Sequence, residues 1–315
     1  MKATTILLAL TTAVSVLAQI PDTPRFDLST PSHDLWRHKK TAANTVQQSF
    51  TFDNTNRRLF IVNRRNGAEV TSGDLTISEL DFSGNLLGSM DLLACGHGVN
   101  IAAEPVGKDT YIWSETDAAA SGYGTALWRV KFEDGKTLDS RTDKDIERII
   151  PLERFKRGTA TIDAVYERFV VRYQYGDKQN IAVWPLEQVK GGGDFNFSNP
   201  LVDWELPDIK NDLGGITNVT QGYTVYGRYL YILTGESYPT SGGVVNSQVL
   251  SMDLNTGELV QGPLLTRAGS TLEFREPEGM AIYKTVGGEA RLFLGFSSGK
   301  AGDRRSNLFY KNVLV

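Results

Sequence analysis

A short apolar motif returns five times along this chain and constrains its fold more than any other feature. The copies are RLFIVN (58–63), TYIWSE (110–115), RFVVRY (168–173), YLYILT (229–234) and RLFLGF (291–296). Aligned on Phe60, Tyr111, Phe169, Tyr231 and Phe293, they follow one another at 51, 58, 62 and 62 residues. That period holds one small antiparallel sheet and is too short for an independent domain. Sheets that each need a neighbour on both faces close into a ring, so the repetition predicts an all-β chain folded as a five-bladed β-propeller.

Each copy sits between two other strand-like segments with period-two patterning rich in β-branched and aromatic residues. The predicted inner segments are 47–52, 98–103, 159–165, 219–226 and 279–283; the third segments are 75–82, 125–132, 180–186, 248–254 and 307–313. Polar turns such as Asp53-Asn54-Thr55-Asn56 and Asn255-Thr256-Gly257 separate them. Looser apolar stretches at 88–93, 148–152 and 201–206 supply outer strands, making the blades four-stranded. The last unit ends without one. An unpaired edge invites aggregation, so residues 26–29 are expected to close the ring by pairing with the last blade. Helix is confined to a turn or two within 142–149.

Met1-Lys2 followed by the apolar run 6–17 and the small-residue pattern Val16-Leu17-Ala18 reads as a secretory signal peptide over residues 1–18. The run is too short for a membrane span, and no later stretch is longer. The expected mature unit is therefore one propeller domain, 19–315, secreted, extracellular and monomeric. Asn196-Phe197-Ser198 and Asn218-Val219-Thr220 are glycosylation sequons. Asn196 falls in a glycine-rich loop, whereas Asn218 falls at the start of a predicted inner strand. The single Cys95 makes no internal disulfide and reads as a small buried hydrophobe. A net charge of -4, spread evenly, supplies no basic stripe for nucleic acid. Three scattered histidines with one cysteine give no metal-ligand spacing, and no cofactor motif occurs.

In a propeller the links into the inner strands and the links from second to third strands emerge on one face, which gathers candidate site residues from distant blades. The starts of inner strands contribute Gln47, Gln48, His97, Arg157, Gln221 and Glu278; the ends of middle strands contribute Asn63, Arg64, Trp113, Glu115, Arg172, Tyr173, Glu236, Ser297 and Ser298. His97 lies between two glycines that allow a tight turn, and serves either as a functional imidazole or as a structural one. Glu115, Glu236 and Glu278 reach the rim from three blades; they either flank a scissile sugar bond or bond rim amides and pair with arginines. Arg172-Tyr173 offers a guanidinium for a uronate or phosphate beside a ring that stacks on a sugar or moves a proton. Strand alternation puts Trp113 and Glu115 on one face, as an aromatic platform beside a polar contact. Trp128 and Trp184 read as packing between blades.

The segments QQSFTFD (47–53), GDL (73–75), GHG (96–98), YIWSET (111–116), GYG (122–124) and PEGM (277–280) resemble secreted proteins of the teichoic acid biosynthesis protein C family. The resemblance spans nearly the whole mature chain, and implies a propeller module shared with receptor-binding proteins of staphylococcal phages. It also implies a role at cell-surface polymers but carries no catalytic residue set. Two readings follow. The first is a secreted binder of a sugar-phosphate or uronate-rich glycan, using Gln48, Arg64, His97, Trp113, Arg172, Tyr173, Gln221 and Glu278. The second is a glycoside hydrolase or polysaccharide lyase at the same place, using His97, Glu115, Tyr173, Glu236 or Glu278. A protein-interaction ring is a third.

Overall fold

A computed structural model describes residues 19–144, 146–190 and 195–315. The expected leader, residues 1–18, and part of the glycine-rich loop, 191–194, lie outside the described residues. Strand β1 (His33–Lys39) precedes the first blade, which is β2 (Gln47–Asp53), β3 (Arg58–Arg64), β4 (Leu75–Leu80) and β5 (Leu86–Leu93). The second blade is β6 (Ala102–Val106), β7 (Asp109–Ala118) and β8 (Gly124–Lys131), followed by a short β9 (Thr137–Asp139). The third is β10 (Gly158–Asp163), β11 (Arg168–Tyr175), β12 (Lys178–Pro185) and β13 (Val202–Glu205). The fourth is β14 (Thr220–Tyr226), β15 (Tyr229–Thr234), β16 (Gln248–Asp253) and β17 (Leu259–Leu265). The fifth is β18 (Glu276–Lys284), β19 (Ala290–Ser298) and β20 (Arg305–Lys311), with β1 as its outer strand. No described helix is long and apolar enough to cross a membrane.

Aspartates at strand ends make the turns. Asp53 accepts bonds from the Thr55 and Asn56 amides at 3.0 and 2.8 Å, and Asp163 does the same for Val165 and Tyr166. The second oxygen of each reaches the neighbouring blade: Asp53 accepts from the Thr110 hydroxyl at 2.6 Å, Asp163 from the Gly227 amide at 2.7 Å. One side chain thus fixes both a reversal and the angle between two sheets.

Between the blades lie five apolar clusters, one per seam. This explains why the middle strands read as continuous apolar runs, because both faces are covered. Trp128 and Trp184 are fully buried in such seams, as expected. Where the inner strands of neighbouring blades meet, side chains no longer fit at two positions. A Cβ on Gly222 would come within 2.6 Å of the Gly279 Cα, and one on Gly279, whose φ is +92°, within 2.8 Å of the Ser49 Cα. The Ser49 hydroxyl donates to the Gly98 carbonyl at 2.6 Å, tying the first blade to the second at the same place.

Three expectations need correction. The second blade has no outer strand at 148–152; a single bridge from Ile149 to Leu127 stands there. The chain first crosses back to run β9 parallel to β5 of the first blade, and Arg148 is drawn to Asp117 by an ion pair. Helix is absent from the described part of 142–149, and occurs instead at Leu186–Gln188 and Tyr238–Ser241. The ring is closed by β1, antiparallel to β20, and not by 26–29 as its outer strand.

Residues 25–27 add a second clasp, pairing with the chain end through Arg25 to Val315 and Asp27 to Val313 bonds of 2.9 Å. Phe26, 0% exposed, enters the seam between fourth and fifth blades against Tyr226 and Tyr231, at ring distances of 5.0 and 5.7 Å. Truncating a buried phenylalanine costs about 3–5 kcal/mol. Phe26→Ala is therefore expected to lower the unfolding free energy by that amount in a urea titration. Val286→Ala, at a position 84% exposed, changes it by less than about 0.5 kcal/mol.

Candidate functional site on the rim

Strand pairing confirms which ends share a face. Gln47 lies opposite Asn63, Gly158 opposite Tyr173, Thr220 opposite Thr234 and Glu276 opposite Ser297, so inner-strand starts and middle-strand ends meet on one rim. His97 and Glu278 stand at this same end: the start of β2 bonds both segments, Gln47 to the Glu278 carbonyl at 2.9 Å and Ser49 to the Gly98 carbonyl at 2.6 Å.

The rim is best formed at the second and third blades. Glu115 on β7 is 0% exposed, and its two carboxyl oxygens accept from the Gly98 and Gly124 amides at 2.7 and 3.2 Å. Glycine is required at Gly96 and Gly124, where a Cβ would approach within 2.5 Å of the Glu115 side chain. Burial pushes its pKa up to about 7, while the amides and Arg157 pull the other way. Above it the His97 imidazole stacks on Tyr123, ring centres 4.7 Å apart and planes 15° from parallel. The Arg157 guanidinium carbon sits 3.0 Å from the centre of that same ring. Burial, Arg64 and Arg157 hold the His97 pKa down to about 4, so the imidazole is neutral at neutral pH.

Arg64, Arg157 and Arg172 form no ion pair among the described residues. The Nε atoms of Arg64 and Arg172 are buried and have no hydrogen-bond partner. Burial lowers the Arg172 pKa from its ordinary value, yet a guanidinium stays charged in proteins. Arg172 and Gln179 line two adjoining cavities. A small one of 50 Å³ is walled by Glu115, Tyr123 and Arg157, and a larger one of 340 Å³ runs toward Asn218 and Thr220 on the fourth blade.

Other expected site residues are placed differently. Trp113 is fully buried, donates to Glu104 at 2.8 Å and packs on Phe169 and Phe195, leaving no ring face for a ligand. It does share a strand face with Glu115, but both faces of a blade are interior. Tyr173 turns away from Arg172: its hydroxyl donates to Asp203 at 2.7 Å and accepts from Arg154 at 2.9 Å, so the two do not act as a pair. Gln48 is buried against the Val46 and Gln47 carbonyls, and Gln221 donates to the Gly235 carbonyl at 3.0 Å. Glu236 is half-buried, and no hydrogen bond joins it to Glu115 or Glu278. Glu278 is buried in the fifth blade, its pKa raised well above the carboxylate range by burial and by Glu276. Among the described residues no cluster of histidine, cysteine and carboxylates is placed to hold a metal. Asn218 precedes β14 and is exposed, correcting its placement in an inner strand, and Asn196 is also exposed.

Residues 46–310 match the family described as "Phage 5-bladed beta propeller receptor binding platform domain". The chain belongs to this family. It is 30% identical over 307 residues to the Bacillus subtilis (strain 168) protein named "Putative major teichoic acid biosynthesis protein C", covering 92% of this chain and 65% of that protein. The tail fibre of Staphylococcus aureus phage P68 superposes with a TM-score of 0.68 at 24% identity, covering 92% of this chain and 53% of that one. The chain thus spans less than two thirds of either relative's length.

The family fold places Glu115 where its titration is measurable. Its folded pKa of about 7 lies above the ordinary 4.5, so the folded state holds the proton more tightly than the unfolded chain. The associated stability is complete below about pH 4.5 and is lost as pH rises through about 7, a change of about 3 kcal/mol. Glu115→Gln removes this titration. Denaturant titrations across that window are expected to move the stability gap by about 3 kcal/mol in favour of the variant as pH rises.

Proposed function

We propose that the protein is exported and recognises an anionic cell-surface glycan, a sugar-phosphate or uronate-rich polymer, on the rim around Arg172. The observation that carries this reading is the pair of buried, unpartnered Nε atoms on Arg64 and Arg172, with Arg157 beside them and no carboxylate bonded to any of the three. Desolvated cations left unpaired in the free protein are costly, and an anionic ligand offsets that cost with charge-assisted hydrogen bonds. Tyr123, held between His97 and Arg157, fixes that guanidinium at the wall of the small cavity. The names of the relatives, a teichoic acid biosynthesis protein and a phage tail fibre, support a ligand of this class.

Bond cleavage at the same rim is the second reading. Its support is the carboxyl group of Glu115, poised at about 7 on the wall of the small cavity. A glycan carried on Asn218 would stand at the mouth of the larger cavity, so occupancy of that sequon would compete with ligand.

Losing one charge-assisted contact costs about 1.5–3 kcal/mol. Arg172→Ala is therefore expected to weaken retention on an immobilised anionic wall polymer about 10- to 100-fold, with a neutral polymer as control; unchanged retention would exclude this rim. Release of new reducing ends by wild type, abolished by Glu115→Gln and His97→Ala, would establish cleavage. Protonating Glu115 removes a negative charge beside Arg157. Retention of the wild type is accordingly expected to strengthen as pH falls from about 8 to about 6, with a flatter profile for Glu115→Gln, measured by polymer-binding isotherms at fixed salt.

A further inference from the structure

The flank of the ring holds a separate cavity of 510 Å³, at the seam where the N-terminal segment crosses between the fourth and fifth blades. Its apolar wall is Leu28, Leu264, Ala268 and Phe309, of which Phe309 is fully buried. Lys311 also lines it and is only 3% exposed. The ammonium donates to the Thr30 carbonyl, which uses one of its three N–H groups. No ion pair to Lys311 occurs among the described residues, and burial lowers its pKa.

The acids nearby make bonds of their own, and the charge of Asp27 also acts on Lys311. Asp27 accepts from Gln261 Nε2 at 2.9 Å and from the Ser29 amide and hydroxyl at 2.9 and 2.6 Å. Asp34 is held by Arg37 at 2.5 and 3.2 Å, and Arg37 in turn lies over the Phe309 ring at 5.1 Å. Arg267 stands exposed at the cavity and makes no side-chain bond or ion pair among the described residues. Three cations, Arg37, Arg267 and Lys311, thus stand against two carboxylates, Asp34 and Asp27, around this apolar hollow, and Arg267 is left without a counter-charge. A buried lysine is otherwise costly. None of the cavity's lining residues is shared with the rim cavities, so it is distinct from the rim in place.

We propose that this flank cavity is a second ligand site, for an organic anion whose acidic group meets Lys311 and Arg267 and whose apolar body lies against Leu264 and Leu265. The full chain is titrated with the aromatic sulfonate 8-anilinonaphthalene-1-sulfonate by fluorescence, followed by displacement with octanoate. Saturable binding at one site, displaced by octanoate, is expected. Lys311→Met and Arg267→Glu are each expected to weaken it about tenfold or more. Arg267 is exposed, so its substitution keeps the test intact should Lys311→Met fail to fold. No saturable binding, wild-type affinity in Arg267→Glu, or failure of octanoate to compete would overturn the proposal. So would loss of the dye in Arg172→Ala, which would place it on the rim.

Discussion

Closure of the ring through pairing of its two chain ends is the constraint on which the rest of the structure depends. A blade in isolation exposes two apolar faces, and burial is complete only when the fifth seam meets the first. The first and last strands supply that condition through β1 on β20, with Phe26 and Trp36 filling the space beneath. The seam between blades four and five contains residues of the N-terminal segment, β15 and β20, separated by more than half the chain. Bringing them together carries a large loop-closure cost, which is offset by five apolar seams forming at once. The rim inherits this geometry. Arg64, Glu115, Arg157 and Arg172 belong to three blades, and their mutual placement is as rigid as the seams between those blades.

Within that frame the decisive local term is desolvation. Backbone amides surround Glu115 and favour its charged form, yet its complete burial wins and leaves the carboxyl about half protonated at pH 7. The same burial strips water from Arg172 while giving it no carboxylate. A protein selected only for stability would pair or remove such a group. Local departures from good packing and pairing are common at functional positions, and the unpartnered Nε atoms of Arg64 and Arg172 are two of them on this rim. Gly222, Gly279 and Ser49 bring the inner strands of the fourth, fifth and first blades into close contact.

The sequence made the blades legible because doubly covered strands leave continuous apolar runs, and Phe60, Tyr111, Phe169, Tyr231 and Phe293 mark each one. It concealed the closing strand for the opposite reason. HDLWRHK, residues 33–39, is an outer strand whose one buried residue is Trp36, and one apolar position gives no periodicity. The second blade's missing strand was equally silent, since the ion pair of Arg148 with Asp117 is a tertiary choice. For the site, strand order located the rim and named Arg64, His97, Glu115 and Arg172. Alternation placed Trp113 on the face of Glu115 but does not report whether that face meets water or a neighbouring blade, and reading Arg172 and Tyr173 as a pair overlooked that adjacent strand residues point to opposite faces. Tyr123 and Arg157 gained their importance only in three dimensions, where a ring from the β7–β8 turn comes under a guanidinium from the start of β10.

A rigid rim has a consequence for how a polymer would be held. Side chains fixed by burial lose little entropy on binding, so each contact contributes more of its intrinsic strength than a flexible surface lysine would. Arg172 stands between two cavities of unequal size, which favours a ligand presenting an anionic group flanked by bulkier units over an isolated anion. Repetition in such a polymer raises the local concentration of the next anionic group as soon as one dissociates. Modest affinity at a single rim then suffices for durable attachment to a surface carrying many copies of the ligand, and a single basin needs neither a deep pocket nor a moving lid to achieve it.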